Sequence, residues 1–182
     1  MTVLDLQVAA GADDAREADD GSAFSSTANN VTCNSHNILA SGRYNGGMRF
    51  TGVTIKGTTI DVAYLSIVAF DTSNDDPNVD ILAENVDNAV NFTTTADVTS
   101  RARTAASVQW TATAIGTGTV NSPSIVTVIQ ALADRAAFSD SAAVVFMDGK
   151  SNAAFSFAIF SYDNDTTKAA KLHIEYTAGG GG

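Results

Sequence analysis

Helical periodicity occurs at one place in this chain. Ile125, Val128, Ile129 and Leu132 recur at helix spacing behind Ser122-Pro123, which reads as a serine N-cap followed by proline at the first helical position. Elsewhere the apolar residues fall in short alternating runs, broken by clusters of Thr, Ser, Asn, Asp and Gly. An α/β fold needs a helix between most of its strands, so this pattern excludes it. Roughly ten short strands with one brief helix near 123–134 predict an all-β, antiparallel two-sheet β-sandwich of jelly-roll type.

The clearest long strand is Ile60 to Phe70. Ile60, Val62, Tyr64, Ser66 and Val68 alternate with Asp61, Ala63, Leu65 and Ile67, and both faces are largely apolar. Such a strand lies centrally, covered on both sides, or at a subunit interface. Lys171 to Tyr176 alternates more sharply: Leu172, Ile174 and Tyr176 point inward, and Lys171, His173 and Glu175 outward. Asn45-Gly46-Gly47 reads as a turn between strands at Ile38-Leu39 and Met48 to Phe50, because Gly and Asn tolerate positive φ.

At the N-terminus, Val3 to Val8 has the alternation of a short strand. It runs into an acidic segment, Gly11 to Gly21, with Asp13, Asp14, Glu17, Asp19 and Asp20 against a single Arg16. Like charges this dense favour a solvated loop. The organisation predicted is therefore an arm over 1–21, a sandwich over 22–177 and a flexible glycine tail over 178–182. Val3, Leu4, Leu6 and Val8 are then an assembly contact, docking on a neighbouring subunit as an added strand. The alternative is an edge strand of the chain's own sandwich.

Charge narrows the partners. Lys and Arg number 10 against 20 Asp and Glu, a net charge of −10 and a pI near 4.3. A surface of this sign does not displace counterions from a nucleic-acid duplex and is repelled by anionic membranes. The 45% apolar content suffices for a core. A lone cysteine, Cys33, forms no internal disulfide. The first residues lack the basic and apolar regions of a signal peptide, so synthesis and folding in the cytoplasm are expected.

Four stretches together resemble the DNRLRE-type β-sandwich modules, which are grouped with carbohydrate-binding modules and also occur in bacterial surface and phage proteins. They are Gly47 to Ile55, with its arginine-bearing strand; Gly57 to Ile67; Ser122 to Leu132, similar to a short helix before the closing strands; and Ala170 to Tyr176, similar to the terminal strand. Ala170 stands where the family usually has proline, and the name-giving hexapeptide is absent. These motifs are structural. The resemblance implies a sandwich fold and one of two roles, a virion component or a glycan-binding module.

No glycine-framed serine, phosphate-binding loop or His-Glu-x-x-His helix occurs, and the two histidines, His36 and His173, lie in no local motif. Asp71, Asp75, Asp76 and Asp80 are oxygen donors close enough in sequence for a structural Ca²⁺, and turn chemistry is the competing explanation. Tyr44, in a glycine-rich stretch, and Trp110 are candidate glycan contacts, although Trp110 shares a face with Val108, as a core residue would. The function expected is that of a non-enzymatic structural protein without a cofactor. It is a phage virion component, decorating or cementing a capsid or forming part of a tail, with its own subunits and other virion proteins as partners. A homo-oligomer, first of all a trimer, is expected. The alternative is a domain that binds surface glycans.

Overall fold

The structure is a computed structural model, described here for residues 1–34, 43–95, 97–150 and 155–179. His36, the expected strand at Ile38-Leu39 and the glycines from 180 onward lie outside the described residues. Eleven strands are defined: β1 (Thr2–Gln7), β2 (Asp14–Ala18), β3 (Asn30–Thr32), β4 (Tyr44–Thr51), β5 (Thr59–Val68), β6 (Asn78–Ala83), β7 (Val108–Thr111), β8 (Thr119–Asn121), β9 (Ala142–Gly149), β10 (Ala158–Phe160) and β11 (Lys171–Thr177). One α-helix, α1, spans Val126–Ala133.

The architecture is all-β, as the pattern predicts. One sheet has four strands in the order β1-β11-β5-β8, and the other has five in the order β2-β4-β9-β6-β7. All pairings are antiparallel. A ribbon of β3 and β10 extends past the end of β5, through a bridge between Ala69 and Ile159. The main core lies between the sheets. Ile60, Ala63, Leu65, Ile67, Leu172 and Ile174 of the first face Met48, Phe50, Val79, Ile81, Val145 and Met147 of the second. The predicted inward set of β11 is confirmed: Leu172 and Ile174 are fully buried and Tyr176 packs against the core.

A second, smaller core covers the far side of the five-stranded sheet. Phe92, Ala89 and Val98 close over Ala15, Val144 and Phe146. Two arginines fasten this cover. Arg103 holds Asp148 with two parallel bonds of 2.9 Å, and its guanidinium lies 3.4 Å from the centre of the Phe146 ring. Arg101 donates to Glu84, to Asp97 and to the carbonyls of Val90 and Asn91. Burial on both faces explains why β9 reads as a continuous apolar run.

Several local expectations are corrected. The segment 1–21 is not an arm. β1 pairs with β11 over six residues, Thr2 opposite Tyr176 through Gln7 opposite Lys171, and β2 pairs with β4. The acidic stretch is only partly solvated: Asp13, Asp14 and Glu17 are buried. Each has a fixed partner. Asp13 pairs with Arg49 at 2.7 Å, Asp14 accepts from the Tyr162 backbone N–H at 2.7 Å, and Glu17 accepts from the N–H groups of Val98 and Thr99. Buried carboxylates persist where hydrogen bonds replace lost water.

Asn45-Gly46-Gly47 is not a turn but the middle of β4. Ser122 does not cap the helix. Its hydroxyl accepts from the Leu65 N–H and donates to the Pro123 carbonyl, and α1 begins four residues later. The apolar stripe is buried as its spacing predicts: Ile125, Val128, Ile129 and Leu132 all lie in the core. In β5 the alternation breaks at Asp61. Glu175 faces Val62 and Tyr176 faces Ile60, a bulge that turns Ile60 inward in phase with Ala63. No helix among the described residues is long and apolar enough to cross a membrane.

Candidate functional site

The two sheets differ in what covers their outer faces. The far side of the five-stranded sheet carries the second core, whereas among the described residues no second core covers the outer, open face of the four-stranded sheet. Alternation along its strands, with the register between them, arranges that open face in three rows. Val3, Glu175 and Val62 form the first, Asp5, His173 and Tyr64 the second, and Gln7, Lys171 and Ser66 the third. Successive rows are two residues apart along each strand, or about 6.7 Å.

The middle row carries the polar chemistry. His173 Nδ1 lies 2.6 Å from Asp5 Oδ1 on β1, and His173 Nε2 lies 3.2 Å from Glu175 Oε1 on its own strand. The imidazole stacks on the Tyr64 ring with centroids 4.7 Å apart and planes inclined by 21°. The hydrogen bond to Asp5 is the main cause holding the imidazole pKa above its ordinary value, against partial desolvation, with Glu175 adding to the rise. A shallow depression of about 290 Å³ opens beside the ring, lined by Asp5, Gln7, Tyr64, Ser66, Lys171 and His173.

The first row is apolar at its ends. Val3 is 48% exposed and Val62 36%, with Glu175 between them. β1 closes this side of the sheet and is its edge strand. At six residues it is longer than the edge strands β7 and β8, and the edge of β2 is covered by the chain at Ser25, which bridges Arg16. A free edge presents unpaired backbone groups that accept a further strand.

The residues singled out from sequence fall mostly elsewhere. Of the expected assembly contact, Leu4 and Leu6 pack against the main core and Val8 is buried, which leaves Val3 available. Val3 lies on the opposite face of the strand from Leu4, Leu6 and Val8, so one strand cannot present all four to a neighbour. Neither expected glycan contact is accessible. Tyr44 is 5% exposed within β4 beneath the Arg16 guanidinium, and Trp110 is 5% exposed, edge-on to Phe157 at 5.6 Å. The four aspartates proposed for Ca²⁺ do not converge. Asp71 accepts from Ser73 and Asn74, Asp75 from the Gly116 N–H, Asp76 from the Ala114 N–H, and Asp80 pairs with Lys150. No group of three or more metal-ligating side chains is found among the described residues.

Sequence reasoning placed His173 and Glu175 outward on one face but did not join them to Asp5 or Tyr64. The signal for the pair is their spacing of two in an alternating strand. The other partners come from β1 and β5, and no local pattern reveals that register. Cys33 is fully enclosed, and burial pushes its thiol pKa far up, which disfavours the reactive thiolate.

No family model matches this chain, and no curated protein matches it.

Proposed function

We propose that this chain is a non-enzymatic structural protein, a component of a phage virion, that assembles through the open face and free edge of its four-stranded sheet. The observation that carries the reading is the exposed Val3 and Val62 pair on an uncovered sheet face ending in the free strand β1. Burying a valine side chain fully contributes about 1.5–3 kcal/mol, and an added strand at β1 satisfies backbone groups now left to water. The partners are further copies of the chain, a trimer first of all, and other virion proteins. The net charge of −10 supports the reading in two ways: it keeps an abundant protein soluble before assembly, and it disfavours nucleic acid and anionic membranes.

The test is Val3→Asp with Val62→Asp, compared with the wild type by sedimentation at high micromolar concentration. The wild type is expected to sediment as an oligomer, and the double variant as a monomer with a nearly unchanged melting temperature. A monomeric wild type, or an oligomer indifferent to both substitutions, removes the support for this surface.

One observation favours the second reading, a glycan-binding domain. The Tyr64 and His173 rings stand beside a depression with polar groups at its rim. Titration of oligosaccharides against the ring signals of these two residues separates the readings. Saturable shifts at both rings support glycan binding, and unchanged signals leave the assembly reading alone.

A further inference from the structure

A neutral imidazole has one N–H and one lone pair. It donates to a single carboxylate, and its other nitrogen repels a second. His173 has a carboxylate at each ring nitrogen, Asp5 at 2.6 Å and Glu175 at 3.2 Å. Both contacts are favourable together only when both nitrogens carry protons. The two carboxylates belong to different strands: Glu175 lies on β11 beside the histidine, and Asp5 lies on the edge strand β1.

We infer that His173 is a proton-operated latch, holding the edge strand β1 onto the sheet while doubly protonated and loosening it when the proton leaves. The surroundings are consistent with this role. β1 contributes Asp5 as the ionisable group facing the ring, and β11 contributes Glu175 and, two residues to the other side, Lys171. β5 contributes the Tyr64 ring, with the neutral Val62 and Ser66 on either side of it along the strand. Tyr64 stacks on the ring face, the two nitrogens face Asp5 across the strands and Glu175 along β11, and the imidazole is only 16% exposed. Two carboxylates against one lysine leave the site with an excess of negative charge, which the imidazolium offsets.

The direction with pH follows from linkage. The folded-state pKa of His173 is raised, so its contribution is complete below the ordinary imidazole value and is lost as pH rises through the folded value. The latch rests on the assembly reading only for its purpose: β1 is the edge through which the proposed contacts run. Its operation is intramolecular and is measured on dilute protein, where assembly plays no part.

The experiment has three readouts on wild type, His173→Gln, Asp5→Asn and Glu175→Gln. Ring signals of His173 are titrated by NMR. Amide exchange of residues 2–7, corrected for intrinsic rates, is followed against that of β5. Melting temperature is recorded from mildly acid to mildly alkaline pH. The latch predicts a wild-type titration midpoint above that of free imidazole, lowered in Asp5→Asn and in Glu175→Gln. It predicts that β1 protection falls relative to β5 across that titration in the wild type and stays flat in His173→Gln. It also predicts that the melting difference between wild type and His173→Gln narrows as pH rises. A midpoint at or below that of free imidazole overturns the latch. So does a pH-independent difference between wild type and His173→Gln, in either melting or β1 exchange. Because sedimentation is read separately, loss of the latch with assembly intact, or the reverse, identifies which proposal fails.

Discussion

The ring of Phe92 occupies the place that a Cβ on Gly47 would need: built there, that atom would stand 2.5 Å from Phe92 Cζ. On the opposite face of the same strand, a Cβ on Gly46 would stand 2.5 Å from Cys33 Sγ and 2.8 Å from Val31 Cγ1. The two glycines are therefore a strand feature. Each lets a layer of side chains approach the backbone of β4 from one side, and neither has a positive φ. Among the described residues, the positive-φ glycines lie elsewhere, at Gly21, Gly52, Gly57 and Gly116.

Gly47→Ala is accordingly expected to destabilise the protein by about 1–3 kcal/mol, the range for overpacking a filled site. Urea unfolding measures it. Phe92→Leu in the same chain should recover part of the loss, because the clash is with the far end of that ring. A Gly47→Ala variant as stable as the wild type would show that Phe92 does not pack there.

Arg101 is expected to hold the outer cover of the five-stranded sheet. Its side chain is 6% exposed, pairs with Glu84 and Asp97, and lies 4.4 Å from the Phe92 ring centre. Removing one partner of a buried charge network leaves carboxylates unpaired, so Arg101→Ala should cost about 3–5 kcal/mol. Arg101→Lys should recover little, because an ammonium cannot reach carboxylates and carbonyls on several sides at once. Amide exchange in the cover, over 86–95 and 97–98, should rise in the alanine variant more than in the four-stranded sheet.

Asp14 gives the folded protein an unfavourable response to rising pH. Burial is the chief cause raising its pKa to about 7, with the charges of Asp163 and Asp13 adding to it against the Tyr162 hydrogen bond. In the unfolded chain the group ionises near 3.8. The sign is therefore that stability from this group is complete below about pH 4 and is lost progressively up to about pH 7. Asp14→Asn keeps an acceptor for the Tyr162 N–H and removes the charge. It should gain stability over the wild type as pH rises through that window, on the order of a few kcal/mol. Denaturation midpoints at acid and neutral pH measure it, and a gain that does not grow with pH would contradict the assignment.

Trp110, the single tryptophan, reports on the inter-sheet core. At 5% exposure and edge-on to Phe157, it should emit at the short wavelengths of a buried indole and resist acrylamide quenching. Added saccharide should leave that emission unchanged even if a glycan binds at Tyr64. Emission typical of a solvated indole would place Trp110 outside the core.

Whatever depends on neighbours a few residues apart is legible in the chain's local pattern. The all-β class, the inward set Leu172 and Ile174, and the helical stripe Ile125, Val128, Ile129 and Leu132 all follow from local periodicity, which burial of one face imposes on a strand or a helix. Whatever depends on partners far away in the chain is set only when the sheets assemble. Glycines 46 and 47 looked like a turn because nothing near them encodes Phe92 or Cys33. The acidic stretch looked solvated because its partners, Arg49, the Val98 and Thr99 amides and the Tyr162 amide, come from three other regions. Asp5 meets His173 across a separation of 168 residues, through the register of β1 on β11. Register is a property of paired strands, and slipping it by one residue would turn Asp5 to the opposite face. Composition and alternation limit what each strand can bury, but only the assembled sheet sets which side chains stand together on its open face.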